Sequence, residues 1–87
     1  MILNKTFQAL SDPTRRKILE LLQKKDLSVT EINKHFAITM PSLSHHLSVL
    51  KQTELVTYRR QGQEMIYSLN LSAFEEMAKL MVKFFKK

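Results

Sequence analysis

The chain has 87 residues, with fourteen Lys and Arg, eight Asp and Glu, a formal charge of +6 and no cysteine. This length predicts a single domain over residues 1–87, with a thin core that a partner subunit can complete. A content of 44% hydrophobic residues excludes a disordered chain. The missing cysteines exclude disulfides and thiolate metal sites, and the basic excess favours an acidic partner, first of all nucleic acid.

Two helices separated by a tight corner are predicted at the start of the chain. Apolar residues at helical spacing run from Leu3 to Leu10. Asp12 is a favourable N-cap, and Pro13 suits the first position of a second helix because its missing N–H would be unpaired there anyway. This helix is expected to end near residues 24–25, two lysines that favour the negative end of a helix dipole.

The middle of the chain predicts two further helices joined by a turn. Ser28 and Glu31 have the spacing of a capping box, which opens a short helix ending near residues 37–38. Thr39 then caps another helix, with Pro41 in its first turn. One face of that helix is apolar, at spacings of three and four, and it consists of Leu43, His46, Leu47 and Leu50. We expect the His46 side chain, at the edge of the core, to make a structural hydrogen bond.

After residue 54 the sequence period changes from that of helices to that of strands. Leu55–Arg60 and Glu64–Leu69 are rich in β-branched and aromatic residues, and Gly62 lies between them at a turn whose backbone angles other residues resist. These features predict a β-hairpin. Asn70 or Ser72 then caps a last helix that runs to the C-terminus.

The predicted order is helix, helix, short helix, helix, β-hairpin and helix. Two short helices separated by a turn and followed by a hairpin describe a winged helix-turn-helix, a mostly α fold with a β-hairpin wing. The single glycine, Gly62, excludes the glycine-rich loops that hold nucleotide phosphates.

Several segments in this order resemble the ArsR-type repressors, the arsenic- and metal-responsive regulators of bacteria. The matching segments are Asp12–Leu19, Ser42–Lys51 in the recognition helix, and Leu55–Val56 and Gly62–Leu69 in the wing. The resemblance implies a homodimeric transcriptional repressor that occupies a palindromic operator, first of all at its own promoter. Within the family, the paired arginines and the double histidine are most similar to a small autorepressor, which implies control by a membrane receptor or another protein regulator.

The outward face of the predicted recognition helix carries small, uncharged, hydrogen-bonding residues. It lies opposite the apolar face, because each helical residue turns about 100° from the one before it. Such side chains can approach base edges in the major groove, where Ser, His and Gln all find partners. The predicted base contacts are Ser42, Ser44, His45, Ser48 and Gln52.

The predicted motif contains no acidic residue from Ile32 to Thr53. Such a run also arises by chance in a basic protein, but its coincidence with the motif favours a surface that lies against phosphates. At the hairpin, we expect at least one of Arg59 and Arg60 to contact DNA. The alternative is a solvated tip whose charges limit edge aggregation.

Arg15 and Arg16 begin a helix that should cross the DNA backbone. Phosphate contact and a structural pair with Asp12 or Glu20 remain equally open for these two side chains. The predicted backbone and wing contacts are Thr39, Met40, Lys51, Arg15, Arg16, Arg59, Arg60, Gln61 and Gln63.

Two effector sites of the resembled family are unmatched in this sequence. The cysteines of the arsenic sensor correspond to Ser28 and Thr30, whose hydroxyls do not replace thiolates toward a soft ion. The last helix has Glu75 and Glu76 but no histidine, and adjacent side chains point about 100° apart. We therefore expect no metal, no cofactor and no small-molecule ligand.

An enzyme is also not expected. Ser42 and His46 lie one helical turn apart, so a nucleophile and a base can be drawn. Nothing near them in the sequence supplies an oxyanion hole or an orienting acid, and the domain is too small for an enclosed pocket.

The last helix has a wider apolar surface than the roughly 100° that a helix needs for packing on its own domain. The excess predicts burial against the same helix of a second subunit, with the first helix joining the interface. The predicted interface residues are Leu3, Phe7, Phe74, Met77, Leu80, Met81, Phe84 and Phe85.

The same helix supports a rival hypothesis. Lys79, Lys83 and the terminal pair at 86–87 flank Phe84 and Phe85, as in basic amphipathic segments that bind a membrane surface or a membrane protein partner. No apolar run reaches the roughly 18 residues of a spanning helix, and no signal peptide is recognisable. A cytoplasmic location is therefore expected.

Overall fold

Five helices and three strands make up residues 2–86, the part of the chain that the computed structural model describes, with side chains described for residues 4–86. In chain order they are α1 (Ile2–Leu10), α2 (Pro13–Lys24), β1 (Leu27–Ser28), α3 (Val29–Asn33), α4 (Met40–Gln52), β2 (Val56–Gln61), β3 (Glu64–Leu69) and α5 (Leu71–Phe85). The order confirms the predicted winged helix-turn-helix, with one element, β1, that the sequence did not reveal.

Strand β1 is two residues long and completes an antiparallel sheet in the order β1-β3-β2. Leu27 pairs with Tyr67, and Ser28 pairs with Ile66. A strand this short has no period that a sequence can show, and Ser28 also caps α3, which is the only role its sequence context indicates. The sheet therefore ties the helix-turn-helix to the wing.

Side-chain caps fix the helix starts at the predicted positions. Three helices begin at a side chain that accepts a hydrogen bond from the backbone N–H three residues on, and these caps are Asp12, Thr39 and Asn70. Ser28 and Glu31 form a complete capping box, with backbone-to-side-chain distances of 2.9 and 3.1 Å. The hydrogen bond from the Ser28 backbone N–H holds the pKa of the Glu31 carboxyl below its ordinary value of 4.5.

Helix α3 ends at Asn33, earlier than the predicted end near residues 37–38. A turn follows, in which the Phe36 N–H donates to the Asn33 carbonyl at 3.1 Å. Phe36 and Ile38 still pack against the core from this turn. Their burial explains why apolar spacing predicted a longer helix.

The core lies beneath α4, where Leu43, Leu47 and Leu50 are at most 2% exposed. These three leucines belong to one cluster, which consists of Ala9, Ile18, Leu19, Leu22, Leu27, Ile32, Leu43, Leu47, Leu50, Leu55, Val56 and Tyr67. Because the cluster draws on both the helices and the sheet, it fixes the rotation of α4 about its own axis. The opposite face of α4 is thereby turned to solvent.

Helix α4 ends in a corner that also anchors α5. Glu54 has a φ of 61°, in the left-handed region where helices commonly end, and the Leu55 N–H donates to the Leu50 carbonyl at 3.1 Å. Asn70 Nδ2 donates to the Glu54 carbonyl at 2.8 Å, while its Oδ1 accepts the N–H of Ala73 in the first turn of α5. One amide therefore holds the end of α4 to the start of α5.

Candidate nucleic-acid interface

Helix α4 exposes the side chains that the sequence assigns to base contact. Ser44, His45 and Gln52 are exposed, and Ser42 and Ser48 are half-buried. All five lie outside the buried leucine stripe. The helix has thirteen residues and is therefore about 20 Å long, and its diameter of about 10–12 Å with side chains suits a major groove about 12 Å wide.

The start of α4 presents two predicted backbone contacts, Thr39 and Met40, both of which are exposed. Thr39 Oγ1 accepts the Ser42 N–H at 3.3 Å, which fixes the first turn. Unpaired N–H groups and the positive dipole end make a helix start favourable for phosphate.

A lysine held over an aromatic ring lies between α4 and the wing. Lys51 Nζ is 4.7 Å from the centre of the Tyr58 ring, and the Tyr58 and Tyr67 rings are 5.8 Å apart. Tyr58 is 52% exposed. This support for Lys51 was not predicted from the sequence. The available signal was the two-residue spacing of Tyr58 from buried Val56, which places both side chains on one face of β2.

The two wing arginines differ in their surroundings. Arg59 donates to Asp26 Oδ2 at 3.1 Å and to Ser68 Oγ at 3.4 Å. Among the hydrogen bonds and ion pairs between residues 4–86, none involves the Arg60 side chain, which points to the other face of β2. Gly62, with a φ of +65°, forms the tip between the exposed Gln61 and Gln63.

Arg15 and Arg16 both reach the C-terminal carbonyls of α1. Arg15 Nε donates to the Ala9 carbonyl at 2.8 Å, and Arg15 Nη2 donates to the Gln8 carbonyl at 3.1 Å. Arg16 Nη1 donates to the Leu10 carbonyl at 2.8 Å. Neither the Asp12 nor the Glu20 carboxylate is their ion-pair partner within residues 4–86. The two arginines therefore close the corner between α1 and α2, a role that only the folded corner reveals.

His46 joins α4 to this corner, in the structural role expected of it. The His46 Nδ1 atom lies 3.2 Å from Arg15 Nη1 and 3.7 Å from Asp12 Oδ2. Burial raises the pKa of the Asp12 carboxyl, but the Arg15 backbone N–H and the neighbouring positive groups outweigh it, so the pKa lies below its ordinary value of 3.8.

Helix α5 presents a large uncovered apolar surface. None of its residues 71–85 is buried, and Phe84 and Phe85 are 68% and 81% exposed. The predicted interface residues differ in exposure: Phe7, Met81, Phe84 and Phe85 are exposed, Phe74, Met77 and Leu80 are half-buried, and the side chain of Leu3 lies outside the described residues. The Cα radius of gyration is 13.7 Å, against about 12 Å for a compact chain of this length.

No helix within residues 2–86 is both long and apolar enough to cross a lipid bilayer. No three His, Asp or Glu side chains in the same range converge as a group able to hold a metal ion.

The sequence from residue 12 to residue 58 matches the bacterial regulatory protein family ArsR. The chain belongs to the ArsR family. Among curated proteins, it is 46% identical to the transcriptional repressor SdpR of Bacillus subtilis (strain 168), over 98% of this chain and 94% of SdpR. ArsR-family proteins are DNA-binding transcriptional regulators, so the chain is a regulator and not an enzyme, as predicted.

Solved ArsR structures share the fold. An ArsR-like transcriptional regulator from Rhodococcus sp. RHA1 has a TM-score of 0.86 and 26% identity, over 95% of this chain and 78% of that one. A homodimeric winged helix-turn-helix domain from Mycobacterium bovis, a possible ArsR-family regulator, has a TM-score of 0.79 and 26% identity, over 93% and 76% of the two chains. These similarities confirm the winged fold and favour DNA binding over the membrane alternative.

Proposed function

We propose that this ArsR-family chain is a homodimeric transcriptional repressor that binds an inverted-repeat operator, first of all at its own promoter. The observation that carries the proposal is the outer face of α4, which is exposed, free of carboxylates and rich in short hydrogen-bonding side chains. A protein that covers a promoter in this way excludes RNA polymerase. The whole of residues 1–87 serves as one DNA-binding domain in the cytoplasm, without metal, cofactor or small-molecule ligand.

Within this proposal, the exposed side chains of α4 read bases. Ser44, His45 and Gln52, which are exposed, contact base edges, while the half-buried Ser42 and Ser48 lie against the walls of the groove. Thr39, Met40 and the start of α4 contact phosphate at one end of the helix. Lys51, held over Tyr58, contacts phosphate on the side of the wing.

The proposed dimer uses α5 and α1. Helix α5 has no buried residue and exposes Met81, Val82, Phe84 and Phe85, and contiguous exposed apolar side chains commonly mark a protein interface. The Mycobacterium bovis domain of the same fold is homodimeric. Two-fold symmetry places two recognition helices about 34 Å apart, one turn of DNA. The proposal also includes release from DNA through a protein regulator such as a membrane receptor.

A titration by fluorescence anisotropy tests the proposed repressor. The dimer is titrated into DNA from upstream of its own gene and into a scrambled duplex of equal length and composition. We expect the upstream DNA to bind about a thousandfold more tightly at physiological salt, which is the lower range of specific recognition. Equal affinity for the two duplexes contradicts sequence-specific repression.

Replacing Arg60 by glutamine is expected to weaken binding to both duplexes several-fold and to reduce the salt dependence. The loss of one phosphate contact in each protomer lowers the slope of log affinity against log salt by about 1.8 for the dimer. Arg59→Gln serves as the matched control and should have the smaller effect, because Asp26 already holds the Arg59 guanidinium at 3.1 Å. An effect of Arg59→Gln as large as that of Arg60→Gln contradicts this assignment.

A further inference from the structure

A cleft of about 320 Å³ lies between α1 and α4, on the side of α4 away from the wing. Its walls come from both helices and from the start of α2. They are formed by Lys5, Gln8, Ala9, Arg15, His45, Val49, Gln52 and Thr53. Two of the lining residues, His45 and Gln52, are ones that we place in the major groove, so the cleft lies beside the proposed DNA-binding face.

The lining of the cleft carries basic groups and no carboxylate. Arg15 is a fixed charge, because three of its nitrogens are held by Ala9 O, Gln8 O and His46 Nδ1 at 2.8 to 3.2 Å. Lys5 is exposed and has no ion pair within residues 4–86, so its ammonium group is able to reach a ligand at the mouth of the cleft. The Asp12 carboxylate, which accepts the Arg15 N–H at 3.0 Å, lies outside the lining.

The position of the cleft follows from the rotation of α4. With about 100° per residue, Lys51 lies on one side of the outward face, and Val49 and Thr53 lie on the other. Lys51 faces the wing through Tyr58, and Val49 and Thr53 face α1 across the cleft. A helix in the major groove has one phosphate strand on each side, so the wing serves one strand and the cleft lies beside the other.

The dimer surface does not cover the cleft. Lys5 and Phe7 are two residues apart on α1 and therefore point about 160° apart. Phe7 is exposed on the side that we assign to the second subunit, while Lys5 lines the cleft. Helix α1 can therefore contribute to the dimer interface through Phe7 and to the cleft through Lys5.

We infer that the α1–α4 cleft is a phosphodiester site for the second DNA strand, in which Lys5 contacts the phosphate and Arg15 supplies a fixed positive charge at the base of the cleft. This inference deepens the proposed DNA-binding function and rests on it. It assigns to α1 a direct contact with DNA, in addition to its part in the dimer. The sequence gives no signal for it, since only the folded chain brings residue 5 close to residue 45.

The test is a salt series with Lys5→Gln, using Lys24→Gln as a control that removes the same charge from the far end of α2. Lys5→Gln is expected to weaken binding to both the upstream and the scrambled duplex by about three- to tenfold. It should also reduce the salt slope by about 1.8 for the dimer, whereas Lys24→Gln should leave the slope unchanged. Equal effects of the two variants overturn the inference, since they show only a change in net charge.

A second measurement locates the phosphate. A single neutral methylphosphonate is placed at each position of each half-site in turn. At one flanking position it should lower the affinity of wild type several-fold, but it should not lower the affinity of Lys5→Gln any further. The absence of any such position overturns the inference. If wild type binds the upstream and the scrambled duplex equally, the proposed sequence-specific repression is contradicted. The salt slopes of Lys5→Gln and Lys24→Gln still test the phosphate contact in the cleft. Inorganic phosphate is also tested as a competitor of DNA, at concentrations that leave the salt slope unchanged. Competition under these conditions would identify the cleft as a site for a free anion and would contradict the inference.

Discussion

Replacing Met81 by aspartate is expected to convert the dimer into monomers and to lower operator affinity by about 100-fold or more. Met81 lies in the middle of the apolar surface of α5 and is 38% exposed in the single chain. At a two-fold interface the substitution buries one carboxylate from each subunit. Neither carboxylate has a positive partner, and the two are brought towards each other by the symmetry. An unpaired buried charge costs several kcal/mol, and each 1.4 kcal/mol is a factor of ten in the dissociation constant.

The control for this variant is Lys79→Gln. It changes the charge by the same single unit, but it lies two residues away, about 160° around α5 from Met81. Sedimentation equilibrium gives the oligomeric state, and anisotropy gives the affinity. We expect Lys79→Gln to remain dimeric and to bind normally. A folded Met81→Asp protein that stays dimeric, or that binds the operator as a monomer with full affinity, would contradict the proposed interface.

The second large effect is expected from His45→Ala, which should reduce discrimination between operator and scrambled DNA. His45 is exposed at the centre of the outward face of α4, and a good base contact contributes about 1–3 kcal/mol of discrimination. The dimer makes the contact in both half-sites, so the ratio of the two affinities should fall by about 30-fold or more. The measured quantity is that ratio at one fixed salt concentration.

His35→Ala is the matched control for this specificity experiment. His35 is also exposed, but it lies in the turn between α3 and α4, before the recognition helix. The control should leave the affinity ratio unchanged. If His45→Ala weakens both duplexes equally, His45 contacts the backbone and does not read a base.

The helix starts were predictable because local chemistry decides them. Asp12 followed by Pro13, and Thr39 followed two residues later by Pro41, specify helix starts from a few adjacent residues. Strand β1 was not predictable, since its two residues gain their structure from pairing with β3, about forty residues later. Distant pairing leaves no pattern in so short a segment.

The same division holds for the candidate site. The outward face of α4 follows from the 3.6-residue helix period, so Ser44, His45 and Gln52 were identifiable in advance. The difference between Arg59 and Arg60 was not, because it depends on Asp26, which lies 33 residues earlier in the chain. Local periodicity therefore predicts the surface, and tertiary contacts decide which of its charges are already paired.

The corner at Asn70 has a consequence for helical phasing on DNA. Its amide holds the Glu54 carbonyl and caps α5 at the same time, so the recognition helix and the dimer helix turn together. Inserting one base pair between the half-sites rotates them by about 34° and separates them by a further 3.4 Å or so. A protein with this corner has little freedom to follow that rotation. In the proposed dimer, we therefore expect the corner to select operators by the number of base pairs between the half-sites as well as by the bases that α4 contacts.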